Sequence, residues 1–151
     1  MTLVAPNPDF AARVRASFAR QAAMRLIGAQ MTAVEPGRVT IELPVRDDLG
    51  QQHGFVHGGV VGMIADSAGG YAAFTLMPAD ASVLTVEYKI NMLAPAQGER
   101  LIARGEVLKP GRSLSIARAE VYALAGGAER LIAAMQQTLM VMRGMSDEAR
   151  V

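Results

Sequence analysis

One segment of the chain places residues that could perform chemistry at the start and in the middle of an apolar helix. It reads QQHGFVHGGVVGMIAD and runs from Gln51 to Asp66. His57-Gly58-Gly59 lies where a polar loop becomes this helix. The first N–H groups of a helix have no partner within it and lie at the positive end of the helix dipole. The pattern is therefore typical of a site that binds an anion or an oxyanion.

Asp66 is the second feature of this segment, because it is the only charged residue between Asp48 and Asp80. A carboxylate within an apolar helix is unfavourable unless it is paired or has a function. Two interpretations stay open at this point. Asp66 is either a functional carboxylate, or a buried residue that is hydrogen-bonded to the backbone or to Ser67. Burial would raise the pKa of this carboxyl group and a nearby helix start would lower it.

The spacing of Gly58 and Asp66 predicts an oligomer. Eight residues span about 12 Å along a helix axis, so one small carbonyl group cannot contact both within a single chain. If both act on one substrate, they come from two chains, and the site occurs twice at a symmetric dimer interface. The composition agrees, since the chain is 51% apolar and 19% charged, against about 25% charged residues in a typical globular protein.

The elements that position these residues are predicted from periodicity. Phe10, Val14 and Phe18 indicate a helix over 8–20. Asn7 is its predicted N-cap, and its arginines are expected on a solvated face. The long apolar helix is predicted from about Gly58 to Met77. Alternation of apolar and polar residues predicts six strands, over 29–35, 38–45, 83–93, 101–108, 113–124 and 130–142. The order of elements predicts an α+β fold in which a curved antiparallel sheet wraps around the apolar helix.

Several classes of protein are disfavoured by composition. The chain has no Cys, and hence no disulfide, thiolate metal site or Cys nucleophile. Its 15 basic and 14 acidic residues give a formal charge of +1, so nucleic acid is not an expected partner. The apolar stretch over 58–76 carries Asp66 in its middle, so we do not expect a membrane span. The first residues lack the pattern of a signal peptide, which makes the cytoplasm the expected compartment.

The domain organisation is expected to be simple. The sequence predicts one domain over 1–143 that includes the N-terminal helix, followed by a polar and flexible tail over 144–151.

The segment HGGVVGMIADSAGGYAA, residues 57–73, resembles the HGG-x6-D helix of hotdog-fold acyl-CoA thioesterases of the phenylacetate-degradation (PaaI) type. The strand motif LTVEYKINMLAPA, residues 84–96, is also similar, and the resemblance covers about 20–143. It implies a curved antiparallel sheet around one long central helix. It also implies a homodimer or homotetramer with the active site at the dimer interface. The implied reaction is hydrolysis of an acyl-CoA to a free acid and CoA, with no cofactor beyond the CoA of the substrate.

The resemblance also implies roles for single residues. Asp66 matches the catalytic carboxylate, which acts as nucleophile or general base, and Gly58 matches the residue whose N–H polarises the thioester carbonyl. His57 is the histidine of the motif, and Thr85 matches a hydroxyl that orients water. Gln51 stands where many relatives have Asn, an amide on a shorter side chain. A thioester is already activated, so the carboxylate could attack it directly or deprotonate water, and the sequence leaves both routes open.

Residues for substrate binding are predicted in two places. Gly59 and Met63 lie on the central helix, where Met63 is either a core residue or part of an acyl tunnel. Lys109, Arg112 and Ser113 surround a Pro-Gly turn. This turn is either an ordinary hairpin tip or a clamp for the phosphates of CoA.

Three further alternatives concern the function. His57 could serve only a structural role in its loop. His53 and His57 are four residues apart, but the helix begins after His57 and no third ligand is evident, so no metal site is expected. The chain could also be a non-catalytic acyl-CoA binding protein, or a hotdog enoyl-CoA hydratase. The hydratases show an Asp-x4-His spacing that differs from the order of His57 and Asp66.

Overall fold

A six-stranded antiparallel sheet curves around one long helix, as the sequence predicts. The structure is a computed structural model that describes residues 2–148. The helices are α1 (Phe10–Arg20), α2 (Ala22–Ile27) and α3 (Gly58–Phe74), and a short 3-10 turn covers Asp47–Leu49. The strands are β1 (Gln30–Glu35), β2 (Arg38–Pro44), β3 (Ala81–Met92), β4 (Arg100–Lys109), β5 (Leu114–Ala125) and β6 (Ala128–Arg143). Their order in the sheet is β1-β2-β4-β5-β6-β3, so β3 forms one edge.

The predicted strands agree with the observed ones to within two residues at each end. The central helix ends at Phe74, three residues before the predicted end at Met77. The N-cap position of α1 is Asp9 rather than Asn7, and the Asp9 side chain makes no capping hydrogen bond. The Asn7 side chain accepts a hydrogen bond from the Asp9 N–H (3.1 Å), two residues along the chain, as an N-cap side chain does. Periodicity thus predicted the elements, and the largest difference in their bounds is at the end of α3.

The core of the protein is the contact between α3 and the sheet. Ile64, Ala65, Ala68 and Phe74 of α3 are fully buried. The helix lies so close to β4 that a Cβ atom at Gly105 would overlap the backbone of Ala68. Only glycine allows this approach, and it brings the polar side chains that point inward from the sheet within reach of the helix.

Helix α1 packs on the C-terminal end of α3 through Arg13. Its guanidinium donates hydrogen bonds to the carbonyl oxygens of Phe74 (3.1 Å), Met77 (2.8 Å) and Pro78 (2.7 Å). It also lies 4.2 Å from the centroid of the Phe74 ring. The expectation that Arg13 lies on a solvated face is therefore wrong. The last carbonyl groups of a helix lack partners, and Arg13 supplies them.

Residues 144–148 contact the body of the domain through Asp147. Its carboxylate accepts hydrogen bonds from Arg20 (2.6 Å) and from Ser82 Oγ (2.9 Å). Residues 149–151 of the expected tail lie outside the described residues, and the flexibility of the tail stays a prediction. Among residues 2–148, no helix is long and apolar enough to cross a membrane.

Candidate active site

Asp66 lies partly buried in the middle of α3, with its carboxylate held by two strands. Thr85 Oγ1 of β3 donates a hydrogen bond to Asp66 Oδ1 at 2.8 Å, and Gln137 Nε2 of β6 donates to the same oxygen at 2.9 Å. Ser67 bonds to Gln21 instead (3.4 Å). Burial raises the pKa of Asp66 above its ordinary value, and the two hydrogen bonds oppose this shift. The site therefore contains a carboxylate that is both fixed and poorly solvated.

Gln137 is a residue of the site that the sequence analysis missed. It lies on the inward face of β6 between Met135 and Leu139 and is 2% exposed. The signal was present, because Gln137 is a polar residue at a position where the alternation of β6 requires an apolar one. Such a residue in a buried register is usually hydrogen-bonded to something specific.

The start of α3 is capped by His57, which leaves one N–H group free. His57 Nδ1 accepts a hydrogen bond from the Gly59 N–H (2.8 Å), and its carbonyl oxygen accepts from Val60 (2.9 Å) and Val61 (3.2 Å). The Gly58 N–H has no hydrogen-bond partner among residues 2–148. The His57 side chain thus fills the structural role considered above, while Gly58 retains a donor at the positive end of the helix.

Gln51 and Gly59 have fewer free hydrogen-bonding groups for a ligand than their positions in the sequence predict. The Gln51 side-chain oxygen accepts a hydrogen bond from the His53 N–H within the loop, and its amide nitrogen has no hydrogen-bond partner among residues 2–148. The Gly59 N–H is taken by His57. Gly59 therefore has no N–H to donate to a substrate, although its exposed backbone lies beside that of Gly58.

Helix α3 runs antiparallel alongside β3, with contacts at successive turns. Near the helix start, a Cβ atom at Gly58 would lie 3.3 Å from Met92 Cε, and one at Gly62 would lie 3.8 Å from the Tyr88 hydroxyl. At the next turn Asp66 bonds to Thr85. Gly58 and Asp66 are thus about 12 Å apart along one continuous helix, and one chain does not bring them together.

A pocket of about 260 Å³ opens beside the Asp66 carboxylate. Its other lining residues come from the α1–α2 junction, α3 and β3, and they are Gln21, Ser67, Gly70, Tyr71, Val83, Leu84 and Thr85. The Tyr71 hydroxyl lies 3.0 Å from both Ser17 Oγ and Gln21 Nε2. A cavity of ~150 Å³ is large enough for benzene, so this pocket can hold a ring or a short chain. Met63 is not part of its lining and packs against the core.

The basic turn between β4 and β5 lies at the same end of the sheet as Thr85. Ser115 of β5 pairs with Leu139 of β6, which pairs with Thr85. Two strand spacings of this kind amount to about 10 Å. Lys109, Arg112 and Ser113 at the turn are exposed, and the two basic side chains form no ion pair within residues 2–148. The structure therefore places them outside the lining of the Asp66 pocket but at the same end of the sheet.

The comparison with known protein families identifies this arrangement. Residues 53–129, which include α3 and the strands β3, β4 and β5, match the model of the thioesterase superfamily. The chain belongs to this superfamily. Its sheet and central helix form the hotdog fold, and the protein is a thioester hydrolase, as the sequence resemblance predicted. Within residues 2–148 of this thioesterase, no group of three His, Asp or Glu side chains could hold a metal ion.

Three relatives illustrate the similarity. The crystal structure of a thioesterase family protein from Silicibacter pomeroyi is 52% identical, has a TM-score of 0.88 and covers 89% of this chain and 99% of its own. A 1,4-dihydroxy-2-naphthoyl-CoA hydrolase from Listeria monocytogenes is 30% identical over 60% of this chain and 73% of its own length. The PaaI protein from the E. coli phenylacetic acid degradation operon shares the fold, with a TM-score of 0.79 at 17% identity over 90% of this chain and 95% of its own.

Proposed function

We propose that this thioesterase hydrolyses acyl-CoA thioesters, with Asp66 as nucleophile or general base and the Gly58 N–H as the donor to the thioester carbonyl. The observation that carries the proposal is that α3 contains both a hydrogen-bond donor and a carboxylate. One helix begins with an N–H group that has no partner among residues 2–148, and it holds a partly buried carboxylate in its middle. The Listeria relative, whose name specifies a CoA thioester, supports this class of substrate.

The exposed edge of β3 supports a dimer. Leu84, Val86, Tyr88 and Met92 are 57%, 53%, 49% and 49% exposed along this edge strand. A long apolar edge strand favours pairing with another strand, and a second copy in antiparallel register would cover it under two-fold symmetry. Thioesterases of this fold are typically oligomeric.

The same pairing would complete the active site. In each chain Gly58 lies level with Met92, and Asp66 lies level with Thr85. A two-fold axis that crosses β3 near Tyr88 sets Met92 of one chain opposite Thr85 of the other. Gly58 of one subunit then faces Asp66 of the second. Each dimer would contain two such sites.

The chemistry needs only the substrate and water. In one route an Asp66 oxygen attacks the thioester carbon, CoA leaves as a thiolate, and water cleaves the resulting anhydride to restore the carboxylate. In the other, Asp66 takes a proton from the attacking water, and this proton passes to the departing sulfur. Both routes place negative charge on the carbonyl oxygen, where the Gly58 N–H would stabilise it.

Other predicted residues have supporting roles in this proposal. The Thr85 hydroxyl donates to Asp66 and retains lone pairs that can accept a hydrogen bond from the attacking water. The amide nitrogen of Gln51 would be a second donor near the start of α3. We propose that Lys109 and Arg112 bind the phosphates of CoA outside the pocket. His57 acts through the cap that keeps the Gly58 N–H exposed.

The test is thiol release from a panel of acyl-CoAs that includes short, long and aromatic acyl groups. We expect Asp66→Asn to lower the rate on the best substrate by about a hundredfold or more. Asp80→Asn is the matched control, because it makes the same change on an exposed residue in the turn before β3. Full activity of Asp66→Asn would overturn the proposal. Binding of acyl-CoA without turnover by the unchanged protein would instead indicate a binding protein.

A further inference from the structure

Gln137 makes hydrogen bonds to Asp66 that a residue with only a packing role would not need. Its Nε2 donates to Asp66 Oδ1 (2.9 Å) and to the Asp66 carbonyl oxygen (3.2 Å). Its Oε1 is buried without a hydrogen-bond partner among residues 2–148. An apolar side chain of the same size would avoid this unpaired oxygen. The amide is therefore suited to the carboxylate rather than to the core around it.

The two oxygens of Asp66 differ in their surroundings. Oδ1 receives hydrogen bonds from both Thr85 and Gln137, whereas Oδ2 receives none from the described residues. Two donors on one oxygen fix the rotation of the carboxylate. We infer that Gln137 is a positioning residue, which with Thr85 holds Oδ1 and presents Oδ2 as the oxygen that reacts with substrate or water. This inference rests on the proposed role of Asp66 in hydrolysis.

Gly69 of α3 makes room for this contact. A Cβ atom at Gly69 would overlap Gln137 Oε1 and would lie 2.8 Å from its Cδ. The Gln137 side chain therefore passes over the helix at a residue without a side chain, three residues after Asp66. Glycine inside a helix is unfavourable relative to alanine, and at this position it is required for the amide to reach the carboxylate.

The electrostatic surroundings allow the role of Gln137 to be measured. No charged side chain within residues 2–148 contributes to the pKa shift of Asp66, which depends on burial and on Thr85 and Gln137. Tyr71 of α3 lines the same pocket as Asp66, Tyr88 of β3 lies beside Gly62, and Glu87 of β3 accepts a hydrogen bond from Thr138. On β6 and β5 the neighbouring side chains include the apolar Leu139 and Ala117. Removal of the Gln137 amide should therefore raise the pKa of Asp66 further.

The first experiment compares Gln137→Met with Gln136→Met. Both place methionine on β6, but Gln136 is exposed on the outer face of the sheet. We expect Gln137→Met to raise the pKa of Asp66 by about one unit, measured by 13C NMR titration of the aspartate carboxyl groups. The acid limb of the kcat/KM profile for thioester hydrolysis should move to higher pH by the same amount. Gln136→Met should leave both unchanged. Coincident titrations of wild type and Gln137→Met would overturn the inference.

The second experiment moves the amide without removing it. Gly69→Ala should displace the Gln137 side chain and raise the pKa of Asp66. In a chain that already carries Gln137→Ala, the methyl group added at Gly69 has nothing to displace. The double variant Gly69→Ala/Gln137→Ala should titrate as Gln137→Ala does. Independent, additive shifts would contradict the coupling. This variant pair also serves if Gln137→Met does not fold.

The two proposals fail in different ways. The NMR titration does not depend on turnover, so it tests the contact between Gln137 and Asp66 even if Asp66→Asn proves fully active. Full activity of Asp66→Asn would overturn the catalytic role of Asp66 and with it the assignment of Oδ2. An unchanged titration of Gln137→Met beside an inactive Asp66→Asn would overturn only the role of Gln137.

Discussion

Thr85 Oγ1 lies 2.8 Å from Asp66 Oδ1, and this hydrogen bond joins the edge strand β3 to the middle of α3. The same strand exposes the apolar surface that we assign to the dimer contact. The position of the carboxylate is thus linked to the strand that would pair between subunits.

The first prediction concerns the Thr85 hydroxyl. Thr85→Val keeps the shape of the side chain but removes the donor to Asp66, so the pKa of Asp66 should rise and kcat/KM at neutral pH should fall by about tenfold or more. Thr85→Ser keeps a hydroxyl and should retain most of the activity. The measurement is thiol release as a function of pH. A Thr85→Val profile that superimposes on that of wild type would contradict the prediction.

The second prediction concerns stability and its dependence on pH. Burial raises the pKa of Asp66 above its ordinary value of 3.8, so the folded state holds the proton more tightly than the unfolded state does. Stability therefore falls as pH rises from the ordinary value through the raised one, and it stays lower above it. Asp66→Asn should melt a few °C higher than wild type at neutral pH, and this difference should vanish below the ordinary pKa. Equal melting temperatures at neutral pH would argue against this sign.

The sequence predicted those parts of the fold that depend on local patterns. The alternation of apolar and polar residues predicted all six strands, and the apolar run over 58–76 predicted α3. Asp66 was found because a lone charge in an apolar helix is locally conspicuous. Gly58 was found because glycine and helix start coincide in the sequence. These signals need no knowledge of which elements are neighbours in space.

The remaining features depend on contacts between distant elements. Gln137 meets Asp66 across 71 residues, and Arg13 meets the end of α3 across 61 residues. In both pairs, the sequence pattern around one residue does not indicate which distant residue it contacts. Leu84, Val86 and Tyr88 alternate with polar residues in the sequence of β3, but a bulge between Thr85 and Glu87 interrupts the strand. Only the strand order shows that β3 is an edge and that its apolar side chains are exposed.

The third prediction separates the two roles considered for His57. If His57 only caps α3, Asn should replace it, since an asparagine side chain also accepts from the first turn of a helix. His57→Asn should then keep the stability and most of the hydrolysis. His57→Ala should lower the free energy of unfolding by about 1 kcal/mol, measured by urea denaturation. A loss of hydrolysis in His57→Asn at unchanged stability would instead indicate a direct role in the reaction.

The fourth prediction tests the shared site by mixing two inactive variants. Gly58→Pro removes the N–H at the first helical position, where proline is tolerated, and His57 already has the extended backbone that precedes a proline (φ −57°, ψ 135°). Gly58→Ala, which keeps the N–H, should lose less activity.

Neither Gly58→Pro nor Asp66→Asn should be active alone. After joint refolding, half of the dimers carry one chain of each kind, and one of their two sites combines an intact Gly58 with an intact Asp66. The mixture should regain about a quarter of the wild-type activity. If both groups acted within one chain, every site would lack one of them, and the mixture would stay inactive.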